Sequence, residues 1–214
     1  DRTDTLTISA WYKVNFTSTN NTLALVSKEN GSTGYLLIID GSLANDPFDF
    51  IIRQTTTTNE LRVNFPRPND TAWHHVVVTY SGSGSASGVS AYIDGVKQTA
   101  TTAVDNFIGS SVNSVSFAIG SRPDSLWWPG NADEIRVYNR AISSDEVRRL
   151  YKIGSTLKLN APTYAGLDTG LVGFWSFNGP DVSGQRAYDR SGQGNTGLMV
   201  NGVASTTGKI GQAL

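Results

Sequence analysis

Two-residue alternation is the feature that most constrains this chain. From Leu6 the even positions run Leu6, Ile8, Ala10, Tyr12, Val14 and Phe16, while the odd ones read Thr7, Ser9, Trp11 and Lys13. Successive side chains of a strand point to opposite faces, so this pattern predicts a strand with one strongly apolar face. Similar runs predict strands over 23–26, 35–39, 48–52, 61–65, 73–80, 89–93, 115–119 and 135–138. Asp94-Gly95 between two runs is a two-residue hairpin signal. Residues 81–88 (SGSGSASG) read as a flexible hairpin loop, and the four Thr at 55–58 as a solvated hairpin tip. Charged residues make up 16% of the chain, against roughly 25% in an average globular protein. Ser, Thr, Asn and Gly fill the gap, which suits a turn-rich all-β chain.

One helix interrupts the strands. Ser143 is placed as its N-cap, Asp145 and Glu146 lie in the first turn, and Arg148, Arg149 and Lys152 follow toward the end. Charges of those signs complement the helix dipole. Val147, Leu150 and Tyr151 give it an apolar side, and Gly154 a stop. Residues 155–169 then read as a linker broken by Gly and Pro162, after which strand patterns return at 171–177, 198–200 and 208–214. That last part, about 45 residues, falls below the roughly 60 at which domains begin to fold alone, so it needs a partner surface.

Composition also excludes classes. Seventeen Lys and Arg against 18 Asp and Glu leave a net charge of −1, without the basic face that a nucleic-acid binder needs. No apolar run is long enough to span a bilayer. The absence of Cys excludes disulfides, thiolate zinc sites and a cysteine nucleophile. No signal peptide is visible and the chain starts at Asp1, which points to processing or trimming.

Four motifs in order carry a family resemblance: Leu6-Thr-Ile-Ser-Ala-Trp11, Trp73-His-His-Val-Val-Val-Thr-Tyr80, Tyr92-Ile-Asp-Gly95 and Ala132-Asp-Glu-Ile-Arg-Val-Tyr-Asn-Arg-Ala-Ile-Ser143. They resemble the laminin-G-like or pentraxin-like jelly-roll module of the concanavalin-A-like lectin/glucanase superfamily. The remainder resembles the same family out of place. Gly170-Leu-Val-Gly-Phe-Trp-Ser-Phe-Asn178, Tyr188-Asp-Arg-Ser-Gly-Gln-Gly-Asn-Thr-Gly197 and Thr207-Gly-Lys-Ile-Gly-Gln-Ala-Leu214 look like the opening strands of such a module, yet they follow its terminal helix. The resemblance implies an all-β antiparallel sandwich, a jelly roll with one short helix. Residues 1–154 form a body lacking its first strands, 155–169 link, and 170–214 supply opening strands. Such modules occur in tandem in large secreted proteins, so the chain reads as one out-of-phase period of an array, extracellular or at a cell surface. The tail can dock on its own body, giving a permuted domain, or on the next copy, giving polymerisation by strand donation. A linker extended at about 3.3 Å per residue reaches roughly 50 Å, enough for either.

Chemistry is weighed against packing. The family's hydrolases use Glu-x-Asp-x-x-Glu, which is absent here. Asp133 and Glu134 are adjacent, and Asp46 and Asp49 are three apart, so each pair is expected on opposite faces of a strand. His74 and His75 lie in the strongest strand and read as packing. The resemblance implies one structural calcium, with Asp133, Asn178, Asp189 and Asn195 as its ligands, although Asn178 departs from the usual acidic residue. The alternative at Asp189 is an Asx-turn held by Gly192 and Gly194. It is no EF-hand, since Val200 stands at the twelfth position. For glycans the candidate is the pair Trp127 and Trp128: with Trp128 turned inward, Trp127 is left to face solvent and stack on a sugar, and the alternative is that both pack in the core or at an edge. Trp11, Trp73 and Trp175 are expected in the core. Asn15, Asn20, Asn30 and Asn69 head N-glycosylation patterns that chance produces in a Thr- and Asn-rich chain. The expected function is a non-enzymatic surface module for adhesion or assembly, with glycans or further copies of itself as partners. A filament subunit joined by strand donation is the alternative, and a glycoside hydrolase is disfavoured.

Overall fold

The computed structural model describes residues 5–17, 19–54, 59–122, 125–155, 166–200 and 203–214. The tract at 55–58 and most of the linker, 156–165, lie outside the described residues. In chain order the strands of the body are β1 (Leu6–Val14), β2 (Thr22–Glu29), β3 (Gly34–Asp40), β4 (Phe48–Arg53), β5 (Glu60–Phe65), β6 (His74–Tyr80), β7 (Val89–Ile93), β8 (Val96–Lys97), β9 (Thr101–Asp105), β10 (Ala118–Ile119) and β11 (Gly130–Tyr138). Helix α1 (Ser144–Ser155) follows, and then β12 (Leu171–Trp175).

These strands form two six-stranded antiparallel sheets. Sheet one has the order β12-β11-β1-β6-β7-β8, and sheet two β10-β2-β3-β4-β5-β9. The predicted alternation holds where it is strongest. Leu6, Ile8, Ala10, Tyr12 and Val14 enter the core, where they meet Phe48, Phe50 and Ile52 of β4 and Leu61, Val63 and Phe65 of β5. Fully burying one such side chain is worth about 1.5–3 kcal/mol. Asp94-Gly95 forms the tight β7–β8 turn with φ of 51° and 77°, the left-handed pair that a two-residue hairpin of this type demands.

The other face of sheet one is covered as well. Ser143 and Glu146 cap α1 reciprocally: the Glu146 N–H donates to Ser143 Oγ at 3.3 Å, and the Ser143 N–H to the Glu146 carboxylate at 2.9 Å. Val147, Leu150 and Ile153 of the helix pack on Val77, Tyr92 and Tyr138. Gly154 lies so close that a Cβ there would stand 2.3 Å from Trp11 Nε1. Thr7, Ser9 and Trp11, on the odd face of β1, are therefore buried too.

The tail adds β12 to the edge of β11, pairing Trp175 with Ile135 and Phe174 with Arg136. Trp175, Phe177 and Ala187 join the main core, and Trp175 stacks on Phe117 with ring centroids 5.4 Å apart. Beyond β12 lie a small sheet of β13 (Val182–Ser183), β14 (Arg186–Ala187) and β15 (Gly197–Leu198), and a hairpin of β16 (Thr206–Thr207) and β17 (Gln212–Ala213). Ala132 and Leu214 exchange backbone hydrogen bonds of 2.7 and 3.2 Å.

Some expectations change. The run at 115–119 narrows to the two residues of β10. The run at 198–200 keeps one residue in β15, and Leu198 and Val200 stay exposed. Residues 208–214 make half a hairpin rather than a long strand. Trp73 precedes β6, is half-buried and belongs to none of the hydrophobic clusters, so it is not the core residue expected.

Candidate functional site

Helix α1 packs on sheet one, and the outer face of sheet two is the contrasting surface. Alternation on β3, β4 and β5 sends Leu36, Ile38 and Asp40, then Asp49, Ile51 and Arg53, then Glu60, Arg62 and Asn64 away from the core. The register sets them side by side: Ile38 faces Asp49, which faces Asn64, and Leu36 faces Ile51, which faces Arg62. A groove of about 290 Å³ results. Its apolar floor is Leu36, Ile38 and Ile51, with Leu126 and Thr22 at the side, and its polar rim is Asp40, Ser42, Arg53, Arg62 and Arg122.

The rim is wired by ion pairs. The Arg62 guanidinium donates to both Asp40 and Asp49, and the Asn64 amide to Asp49. Arg53 meets Glu29 at 2.7 Å and Glu60 at 3.7 Å, and Arg122 meets Glu29 at 3.3 Å. Burial pushes the Asp49 carboxyl up to about 6 against the opposing pull of Arg62 and Asn64. Asp40 differs: burial alone would raise it, but hydrogen bonds from Ser42 and the Arg62 guanidinium hold it below the usual carboxylate range.

Residues 120–122 and 125–129 border this face. Their backbone is tied to β2 by Gly120 N–H to Leu25 O at 2.8 Å and Ala24 N–H to Leu126 O at 2.9 Å. Leu126 takes a left-handed φ of 56°, a strained conformation for a branched side chain. It packs on Ala24, Leu36, Ile38 and Ile51. The next residue, Trp127, is 51% exposed. Trp128 packs against the core, edge-on to Tyr12 at 6.0 Å. The two indoles thus part in the way the sequence suggested.

The four residues assigned to calcium fall in two places. Asp189 Oδ1 accepts from the Phe174 and Ser191 N–H groups, and Oδ2 from Ser191 Oγ and the Asn195 N–H, all at 2.8–2.9 Å. Asn195 Nδ2 donates to Val172 O at 2.7 Å. These two residues form an Asx-type loop that caps the outer edge of β12. Asp133 and Asn178 instead hold the terminal hairpin: Asp133 Oδ2 accepts from Ile210 N–H at 2.8 Å, and Asn178 Oδ1 from Gln212 N–H at 2.9 Å. One buried carboxylate oxygen, Asp133 Oδ1, lacks a hydrogen-bond partner. Calcium takes six to eight oxygens, and the side-chain oxygens of these four residues are divided between two places, those of Asp189 already accepting four hydrogen bonds. Among the described residues no group of three or more His, Asp or Glu is placed to hold a metal.

The remaining candidates are structural. His75 is buried, 2.9 Å from Ser9 Oγ, with its ring tilted 35° to that of Trp11 at 5.1 Å. His74 bridges Asp94 at 2.7 Å and Asp70 at 2.9 Å. Asp46 lies in a loop, where Arg67 grips its carbonyl at 2.8 Å. Asp46 and Asp49 are thus separated not by strand faces, as expected, but because Asp46 precedes β4. The sheet-two face went unread in the sequence, although its signal was there: outward positions of β4 and β5 alternate Asp, Ile, Arg and Glu, Arg, Asn. Among the described residues no helix is long and apolar enough to cross a membrane.

Comparison with known proteins gives the same architecture. A search of curated proteins by sequence finds no match. A candidate carbohydrate binding protein from Bacteroides ovatus superimposes with a TM-score of 0.60 at 18% identity, over 90% of this chain and 51% of that one. The chain therefore spans about half the length of that protein. Domain 4 of an extracellular arabinanase from Geobacillus stearothermophilus, solved with arabinotriose, superimposes with a TM-score of 0.50 at 22% identity, over 69% of this chain and 66% of that one. A SAP-like pentraxin from Limulus polyphemus gives 0.48 at 16% identity, over 69% and 70%. The laminin G-type family model described as the concanavalin A-like lectin/glucanases superfamily matches residues 1–148, and the chain belongs to that superfamily.

Proposed function

We propose that this chain is a non-catalytic glycan-binding module of an extracellular surface protein, and that it binds on the outer face of sheet two beside Trp127. The observation that carries the reading is the contrast between the sheets. One outer face is covered by α1, whereas the other carries a groove with a rim of hydrogen-bonding groups over nearly buried Leu36, Ile38 and Ile51, with Leu126 at its side and the exposed Trp127 following Leu126 in the chain. Sugars present apolar C–H faces ringed by hydroxyls: the exposed Trp127 indole suits the first and the polar rim the second. The neighbours described as carbohydrate binding, or solved with an arabinose oligomer, support the same class. Binding without turnover is supported by Arg62, which sits between Asp40 and Asp49 and occupies the position where a glycosidase needs water or sugar between its carboxylates. Adhesion is the role such a module serves in a surface protein.

A glycan array tests the reading. The wild type is expected to bind a restricted set of glycans, and Trp127→Ala to lose about tenfold or more in affinity. An identical profile for the two proteins discards Trp127 as part of the site. We also infer that the tail serves its own body rather than the next copy. Supporting this is the occupied outer edge of β12, where Asp189 and Asn195 side chains and the Arg190 N–H, 2.8 Å from Phe174 O, take the backbone groups that a further strand would use. A stable monomer at micromolar concentration is expected by native mass spectrometry, and a ladder of oligomers would refute it.

A further inference from the structure

The wiring of the groove reaches beyond glycan binding to the charge class of the glycan, and this step rests on that reading. Three guanidiniums face the groove, and each already has a carboxylate partner: Arg53 with Glu29 and Glu60, Arg62 with Asp40 and Asp49, and Arg122 with Glu29. The carboxylates lie underneath. The Glu29 and Asp49 side chains are 0% exposed and that of Asp40 7%, whereas those of Arg62 and Arg122 are 28% and 31% exposed. Four carboxylates against three guanidiniums leave the face one net negative charge.

A ligand meeting this face encounters N–H donors whose charge is cancelled from below. A guanidinium carries five N–H groups, so those not used by carboxylates can donate to sugar hydroxyls without breaking an ion pair. An acidic sugar would compete with a buried carboxylate for the same guanidinium and would meet the residual negative charge. Specificity of this kind arises by rejecting the wrong ligand as much as by holding the right one.

We infer that the groove selects neutral glycans over acidic ones, and that Asp40 is the residue that sets this selectivity through Arg62. Both carboxylate partners of Arg62 are buried, Asp40 the less completely, with 7% of its side chain exposed against 0% for Asp49. Exchanging Asp40 for Asn keeps an Oδ1 acceptor for the Ser42 N–H, which bonds it at 2.9 Å, while removing the negative charge.

The test compares wild type, Asp40→Asn and Arg62→Gln by calorimetry against two panels. The neutral panel is xylohexaose, arabinohexaose, cellohexaose and lacto-N-tetraose, and the acidic panel is hexagalacturonate, a heparin hexasaccharide and sialyllactose. Wild type is expected to bind a neutral member with little dependence on salt and to bind no acidic one more tightly. Asp40→Asn is expected to gain at least about fivefold for an acidic member, a gain that high salt removes. Arg62→Gln is expected to weaken neutral binding and to gain nothing for acids. A wild type that prefers an acidic oligosaccharide, or an Asp40→Asn protein that folds with an unchanged melting temperature yet gains nothing, overturns the inference and leaves glycan binding standing. Failure of every member to bind overturns both.

Discussion

Asp133 and His75 stand opposite Trp11 on its two neighbouring strands, and they titrate in opposite senses. Burial pushes the Asp133 carboxyl up to about 7, opposed by the Ile210 N–H, and drives the His75 imidazole down to about 3. Between about pH 4 and 6.5 folding therefore takes up a proton at Asp133 and releases one at His75. The first makes stability fall as pH rises, the second makes it rise, and the two slopes offset. Asp133→Asn removes the falling slope, so its stability is expected to climb with pH across this window, by up to about 1.4 kcal/mol per pH unit. Urea midpoints measured across the window check this, and parallel curves for mutant and wild type would contradict it. At Asp189 the account is equally specific. Its oxygens are filled by four protein donors, so chelator or added calcium is expected to leave the melting temperature unmoved. A rise of several degrees with calcium would show a site that this donor count misses. The separation of Trp127 from Trp128 was one of two readings the sequence left open, because adjacent aromatic residues before a closing strand can also both pack inward. The fate of Asp189 was half legible: its spacing to Ser191 and the following glycines announces an Asx-turn, but which strand edge that turn would cap depends on a tertiary docking that no local spacing encodes.

At the level of elements, strands with long alternation were readable and short ones were not. β1 carries its own signature from Leu6 to Val14, and α1 announces itself by the Ser143–Glu146 box. β10 and the strands beyond β12 are two residues long, held by neighbours rather than by pattern. β12 shows how an exposed edge is made safe. Its outward Phe174 N–H and Val172 carbonyl are met by the Asp189 carboxylate and the Asn195 amide. Asp189→Ala strips this cap. Its expected cost is about 1 kcal/mol, for a partly buried donor left unpaired, together with concentration-dependent self-association through the freed edge. Denaturant titration and light scattering read the two effects separately. An equally stable, monodisperse mutant would show that the loop is decorative.

The whole molecule is asymmetric. Sheet one is closed outward by α1 and extended by the tail, whose Trp175 and Phe177 are 6% and 2% exposed within the common core. Trp175→Ala is expected to cost about 3–5 kcal/mol, so the tail is as much part of the sandwich as β1. A melting temperature within a degree of wild type would mean that the tail merely leans on the body. Sheet two keeps an outer groove, and the grouping of its charges emerges only at this scale. Asp40, Asp49 and Arg62 come from three strands, 22 and 13 residues from one another through Arg62, and the register alone brings them together. Runs of alternating residues foretell the strands but not which outward positions become neighbours. The most direct test of the account maps a bound oligosaccharide by amide chemical shifts in a labelled sample. The account predicts perturbations on β3, β4 and β5 and at residues 125–129, with α1 and β12 silent. Shifts confined to the helix-covered face or to the tail would contradict it.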